Sequence, residues 1–385
     1  MDFELTDEQN LLVETVQNFV KKDSPVSRFR QVRAGELGYS KETWQQMAEL
    51  GWLSIPIPES AGGLGWGLID VAMLLQQFGQ TLVPEPYIPS VVLAGMTLAQ
   101  EGSAAQHETI LQPMMEGETS LAMAYMEKDS RNDVTRIETR AKQSGDGYLL
   151  SGAKTFVLNG HAADHLIVSA RTAGEPGEAE GVTLFAIKAD AKGLTRTAIK
   201  TIDGHWAANI SLSDVQVGPD AIVGKPGGGA PALEAAMDRG AAMACAEGAG
   251  IVSAVFEMTK EYLGDRTQFG VKIGSFQALQ HRCVDMFVEV QLCESTMILG
   301  ALKADDPDVD ERRRATSIAK VQLTMGGHYV TRQGIQLHGG IGATEEHDVG
   351  LYFKRMTVLA TLFGDEQHHL KRYGGAPGFE GSDAA

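Results

Sequence analysis

Two short stretches of this chain combine residue types suited to a phosphate-bearing ligand. Gln336-Leu337-His338-Gly339-Gly340-Ile341-Gly342 carries a glycine pair, which lets a phosphate or another backbone come close because no Cβ keeps it away. Arg266-Thr267-Gln268-Phe269-Gly270, well upstream, brings a guanidinium whose planar fork of donors matches a phosphate. Either motif alone is weak; their order, with long helical stretches between, carries the information. Glu247 is a possible base, but it sits in an Ala/Gly-rich stretch where a carboxylate is costly unless it is paired or faces a cavity. The histidines suggest no metal site. His161 and His165 fall in a strand-and-turn segment, and His368 and His369 point apart if helical, so neither pair converges.

The elements that must position these residues change character twice along the 385 residues. From Thr6, apolar residues recur at helical spacing, as in Leu11, Leu12, Val16, Phe19 and Val20, with Thr6 and Asp7 placed to cap the first helix. From Ser120 the rhythm shortens to strand-length runs, such as Val182-Thr183-Leu184-Phe185-Ala186-Ile187, separated by Gly/Asp/Pro clusters. The loop Gly224-Lys225-Pro226-Gly227-Gly228-Gly229 lacks P-loop spacing and reads as a linker. Helical patterns return over 230–263, 275–304 and 307–337, apolar over much of their surface, which suits a bundle core plus an oligomer face. The fold class predicted is α+β: an N-terminal helical domain over 1–118, a middle antiparallel β domain over 119–226, and a C-terminal four-helix bundle with an oligomer interface over 227–385.

A net charge of −17 argues against nucleic acid as a partner, since a duplex demands a basic face. The start Met1-Asp2-Phe3-Glu4-Leu5 lacks the features of a signal peptide, and no uninterrupted apolar run is long enough for a bilayer, so a cytoplasmic protein without membrane contact is expected. Cys245, Cys283 and Cys293 are too few and too scattered for a disulfide framework or a zinc site.

Taken together, the motifs resemble the flavin-dependent acyl-CoA dehydrogenase family over nearly the whole chain. Phe3-Glu4-Leu5-Thr6-Asp7-Glu8-Gln9 is similar to the family's usual start, and Glu49-Leu50-Gly51-Trp52 through Gly63-Leu64-Gly65 to its first helix-loop signature. Lys154-Thr155-Phe156-Val157-Leu158-Asn159-Gly160 resembles the family's K-x-W-I-T-N-G strand. The resemblance implies FAD as cofactor, an acyl-CoA substrate, a trans-2-enoyl-CoA product, electron-transferring flavoprotein as acceptor, and a place in fatty-acid and lipid degradation. Such chemistry needs hydrogen-bond donors on the thioester carbonyl and a desolvated base, because the α-proton of a thioester is a very weak acid.

Departures from the family pattern are informative. Many members carry the base as glutamate in Y-E-G-T, but here Leu362-Phe363-Gly364-Asp365-Glu366-Gln367 puts Phe363 in its place. Phenylalanine takes no proton, although its backbone N–H remains able to polarise the thioester carbonyl. A minority of the family places the base directly before an arginine on the first bundle helix, which implies Asp238 as base and Arg239 as substrate contact; Glu247, Glu261, Asp365 and Glu366 are its rivals.

By the same resemblance, Arg266, Gln268 and Phe269 reach the FAD of a neighbouring subunit, Gln277 lies near that cofactor, Gln336, Gly339 and Gly340 pass its pyrophosphate, and Gln367 touches its adenine side. On the isoalloxazine side, Met126, Phe156 and Leu158 line the ring; Met126 and Leu158 replace threonines, removing hydroxyl donors. The altered loop also puts Arg131 and Arg136 forward for a substrate's second carboxylate. Groups offered to a partner's FAD are kept while those for the chain's own flavin ring are eroded. Two assemblies follow: a homotetramer, or an α2β2 enzyme with a paralogous subunit, in which this chain resembles the small subunit of a pimeloyl-CoA or steroid-side-chain dehydrogenase and clamps FAD with little or no catalysis. A flavin oxidase or hydroxylase on the same fold is a further alternative.

Overall fold

Thr6 opens the first helix as the sequence predicts. Its side chain accepts from the Gln9 N–H at 3.2 Å while the Gln9 side chain accepts from the Thr6 N–H at 3.1 Å, so two amide donors at the helix start are satisfied reciprocally. The computed structural model describes residues 5–375, and the Phe3-Glu4 part of the opening motif lies outside them. Helices α1 (Asp7–Lys22), α2 (Val26–Val32), α3 (Lys41–Glu49) and α4 (Leu68–Thr81) are followed by the shorter α5 (Met96–Glu101), α6 (Ala104–Gln106) and α7 (Gln112–Met115). The β region and the helices α8 (Ala230–Asp265), α9 (Gln277–Lys303), α10 (Val309–His338), α11 (Val349–Leu359) and α12 (Glu366–Gly374) complete the chain.

The chain forms two compact units. One takes 32–67 and 84–240, and the other takes the described residues up to Gln31, 68–83 and those from Ala241 onward. The first unit holds a sheet of eight strands: β1 (Leu121–Ala124), β2 (Arg140–Ser144), β3 (Gly147–Leu158), β4 (His165–Arg171), β5 (Val182–Lys188), β6 (Leu194–Lys200), β7 (Trp206–Val217) and β8 (Ile222–Val223). The order is β6-β7-β3-β2-β4-β5-β8, with β1 on β4. Most pairings are antiparallel, but β4 is flanked by two parallel partners, β1 with Leu121 opposite His165 and β2 with Arg140 opposite Arg171. The β1–β4 pair is invisible to hairpin spacing, since the β2–β3 hairpin intervenes between its strands. Leu150, Val157, Leu166, Val168, Phe185 and Ile210 form part of the sheet's buried core.

In the other unit the helices approach closely where glycines allow it. A Cβ built on Gly79 of α4 would collide with the Glu247 carbonyl of α8, and one built on Gly250 of α8 with the Gln76 carbonyl of α4. These two backbones therefore touch directly, as helices do only where side chains are absent at the crossing. Glu247 itself is not free: Arg355 of α11 donates to its two oxygens at 2.5 and 2.8 Å, both side chains being largely buried. The pairing answers the cost of its burial.

By length and mean hydropathy alone α8 passes as long enough to cross a bilayer, but Glu247 interrupts its apolar run, in keeping with the sequence expectation. Within its most apolar window 78% is buried, as in the core helix of a folded domain. The apolar coverage predicted for the bundle is clearest on α9, where Val284, Phe287, Val288, Leu292, Leu299 and Leu302 are exposed. Cys245, Cys283 and Cys293 are free thiols.

Gly250→Val is expected to destabilise the fold by about 3 kcal/mol, since the helices must separate to admit the side chain. Urea denaturation measures this, and an unchanged midpoint would show that α4 and α8 do not depend on backbone contact.

Candidate active site

In the β unit, a buried ion pair fixes the strand ends that carry Met126, Phe156 and Leu158. The Lys154 ammonium donates to Glu127 at 2.6 Å and to the Ser169 hydroxyl at 2.9 Å. Glu127 also accepts from the Glu138 N–H at 2.7 Å, the Thr139 N–H at 3.1 Å and the Thr139 hydroxyl at 2.6 Å. Burial works to raise the pKa of Glu127, but the Lys154 charge and these hydrogen bonds outweigh it and hold the carboxyl below its usual value. Burial pushes Lys154 down to about 8, with Glu127 opposing. The anchor lies between Met126 and the loop that follows, and the Thr155 N–H donates to the Met126 carbonyl at 2.8 Å.

A register shift between Lys154 and Val157 then turns Phe156 out of the regular ladder at φ +51°, and its N–H donates to the Asn209 side chain at 3.1 Å. Met126, Phe156 and Leu158 are half-buried and offer only sulfur and carbon to a ligand. Beside this anchor, Lys128, Ser130, Arg136, Thr139 and Thr155 help to line a cavity of about 260 Å³; of the two arginines named for a second carboxylate, Arg136 reaches it and Arg131 does not.

Asp238 and Arg239 stand near the start of α8 and are 1% and 4% exposed, so this is no solvated surface pair. Arg239 donates to the Gln100 side chain at 2.6 Å.

The turn between α11 and α12 holds Phe363. Its φ is +59°, which costs a residue with a Cβ about 1–2 kcal/mol, and Gly364 follows at +108°. Two buried side chains hold this turn. The Lys320 ammonium donates to the carbonyls of Leu359, Ala360 and Gly364 at 2.8, 3.1 and 3.0 Å, and burial lowers its pKa to about 8. His369, 1% exposed, lies 3.0 Å from the Phe363 carbonyl through Nε2 and 3.1 Å from the Ser317 hydroxyl through Nδ1. Among the described residues the Phe363 N–H makes no hydrogen bond, although the residue is buried. Asp365, a rival base, caps α12 by accepting from the His368 N–H at 2.8 Å. Glu247 is engaged by Arg355, and Glu261 is exposed.

The residues assigned to the adenine side of FAD are exposed. Strands β9 (Thr267–Gln268) and β10 (Val271–Lys272) form a hairpin whose turn residues Phe269 and Gly270 both have positive φ, the geometry of a tight two-residue turn. Phe269 is 90% exposed. Arg266 and Gln268 flank it, Gln277 is the first residue of α9, and Gln367 is exposed on α12. Beyond α10, where Gln336 is exposed, Gly339 takes φ +64°, and a Cβ on Gly339 or Gly340 would meet nothing within 4 Å. Sequence reasoning missed Glu127, Lys320 and His369. Lys320 alone carried a signal, a charge among Ile318, Ala319 and Val321 that is costly unless bonded, whereas Glu127 and His369 lie in polar stretches that give none.

Three protein-family models match in succession: the acyl-CoA dehydrogenase N-terminal domain at 6–118, the middle domain at 122–215 and the C-terminal domain at 227–374. Among curated relatives, the probable acyl-CoA dehydrogenase YngJ of Bacillus subtilis (strain 168) is 30% identical over 91% of this chain and 92% of its own. The acyl-CoA dehydrogenase IpdE2 of Mycobacterium tuberculosis (strain ATCC 25618 / H37Rv) is 30% identical over 95% and 96%. Among solved structures, a single-substitution variant of the Tcur3481-Tcur3483 steroid ACAD is 29% identical, covers 96% of this chain and 97% of its own, and superposes with a TM-score of 0.84. The chain therefore belongs to the acyl-CoA dehydrogenase family of FAD-binding oxidoreductases acting on CH–CH groups.

Proposed function

We propose that this chain dehydrogenates an acyl-CoA thioester between its α and β carbons to the trans-2-enoyl-CoA, with Asp238 taking the α-proton. The observation that carries the reading is the Phe363 N–H, a donor without a partner among the described residues, on a residue 8% exposed in a turn held at two successive carbonyls. A donor fixed in advance stabilises the charge that develops on a thioester oxygen as the α-proton leaves, because no reorganisation is needed at that moment. Bound FAD would supply the two-electron acceptor for the hydride lost from the β-carbon, and electron-transferring flavoprotein is the onward acceptor we propose.

The residues present fit FAD. Gly339 and Gly340 leave open space for a pyrophosphate, and exposed Arg266, Gln268, Phe269, Gln277, Gln336 and Gln367 supply donors and an aromatic surface. Met126, Phe156 and Leu158 offer packing to a flat ring. Asp238 is one methylene shorter than glutamate, so the substrate must come closer to it. Arg239 assists on the substrate side, and its bond to Gln100 restricts it. Three free cysteines accord with a reducing, cytoplasmic setting.

The assembly we propose is a homotetramer, supported by the apolar outer face of α9. The loss of hydroxyls at Met126 and Leu158 favours a second reading, an α2β2 enzyme in which a paralogous subunit holds the flavin ring. The relative whose name joins Tcur3481 and Tcur3483 as a steroid ACAD makes a steroid side chain the first substrate class to try.

Asp238→Asn is expected to lower kcat by about 10²- to 10⁴-fold while flavin content and ligand binding persist. Unchanged turnover would remove Asp238 as the base. Analytical ultracentrifugation of the chain expressed alone should show a flavin-bearing tetramer; a flavin-free dimer would contradict the homotetramer and favour the α2β2 assembly.

A further inference from the structure

His369 is buried, donates to the main chain and has no part in the base, donor and cofactor roles described above. A carbonyl oxygen only accepts, so the Nε2 atom 3.0 Å from the Phe363 carbonyl must carry a proton. The other ring nitrogen, 3.1 Å from the Ser317 hydroxyl, is then the acceptor in the neutral ring. Neutrality follows from the surroundings. Burial first, then the positive charge of Lys320 and the neighbouring His368 and Arg372, push the pKa of His369 down to about 3, with only the bond to Phe363 acting the other way.

The geometry around it is specific. Phe363 adopts a left-handed conformation that a side chain with a Cβ disfavours, so something must hold it there. His369 holds the Phe363 carbonyl and Lys320 holds the next one, at Gly364, which fixes the peptides on the C-terminal side of Phe363. A Cβ on Gly364 would run into both His368 and His369, so the ring is packed against this turn as well as bonded to it.

We propose that His369 is a positioning residue for the reaction: its Nε2–H clamps the Phe363 carbonyl while Lys320 holds the Leu359 and Ala360 carbonyls on the other side, and together they keep Phe363 at its positive φ and so aim its N–H, which lies in the preceding peptide, toward the thioester oxygen. The inference rests on the reading of Phe363 as the thioester donor and adds the group that aims it. His369, 1% exposed, is proposed to act through Phe363 and not on the substrate itself. Ser317 fixes the ring tautomer, so the chain Ser317–His369–Phe363 ends at the substrate carbonyl.

The test uses the enzyme at full flavin content and an enoyl-CoA carrying ¹³C at its carbonyl, a product that does not turn over. In the wild type, infrared difference spectroscopy should place the carbonyl stretch below its position in water, as hydrogen bonding to the oxygen requires. His369→Leu should return the stretch toward its aqueous position and lower kcat by about 10- to 100-fold with KM changed little, the loss that follows from a misplaced donor. His369→Gln, whose amide retains an N–H donor, should restore both. If His369→Leu keeps the wild-type stretch and kcat, the positioning role is wrong while the Phe363 donor stands. If the wild-type stretch itself is unshifted, the donor reading fails and the positioning role falls with it. Should His369→Leu not fold, Ser317→Ala serves instead. It should shift the stretch in the same direction by a smaller amount, and wild-type behaviour there would overturn the proposal.

Discussion

Two successive main-chain carbonyls, at Phe363 and Gly364, are each held by a buried side chain, and the chemistry assigned to this chain depends on that restraint. The side chain at 363 cannot accept a proton, so what remains useful at that position belongs to the backbone. A backbone donor is valuable only if it is aimed and unpaired, and both conditions cost free energy. The left-handed φ of Phe363 is one part of the cost, and an N–H that makes no hydrogen bond among the described residues is the other. Lys320 and His369 offset it with charge-assisted and neutral hydrogen bonds in a dry environment, where such bonds are strong.

The β unit solves a related problem differently. Glu127 and Lys154 are both buried, and each finds a full set of partners, so an ion pair that would be unfavourable alone becomes a stiff anchor beside Met126 and Phe156. In the proposed ring site, with Met126 and Leu158 where the family pattern has threonines, this stiffness matters more, since packing rather than hydrogen bonding has to define the surface. Contact by Met and Leu tolerates small shifts that a hydroxyl bond would not, and it leaves the electronics of a bound ring less tuned.

How far the sequence discloses all this depends on the range of the interactions. The capping box at Thr6, the three long helices and the strand-length runs are local, and periodicity and turn chemistry reveal them. The parallel pairing of β1 with β4 is not local, nor is the backbone contact of α4 with α8 at Gly79 and Gly250, whose glycines look like ordinary helix weaknesses until both helices are in place. Glu247 shows the limit most clearly. Its burial could be anticipated, but its partner Arg355 lies on another helix far along the chain, and no spacing rule connects them. The adjacency of His368 and His369 argues against a metal pair and discloses nothing more, because the role of His369 as a buried donor to its own turn depends on Ser317 arriving from α10. The motifs proposed for FAD are short and local and can be read from the sequence; Lys320 and His369, proposed to fix the thioester donor, act from the interior, and that role cannot.

The central claim is that this chain itself oxidises an acyl-CoA. The most direct measurement is an anaerobic titration of the purified protein with a panel of acyl-CoA thioesters, including steroid side-chain thioesters, followed by visible absorption and by analysis of the released CoA product. The account predicts that the flavin absorption bleaches with at least one of them and that a trans-2-enoyl-CoA forms in equal amount. Flavin that stays oxidised across the panel, with the thioesters recovered unchanged, would contradict it.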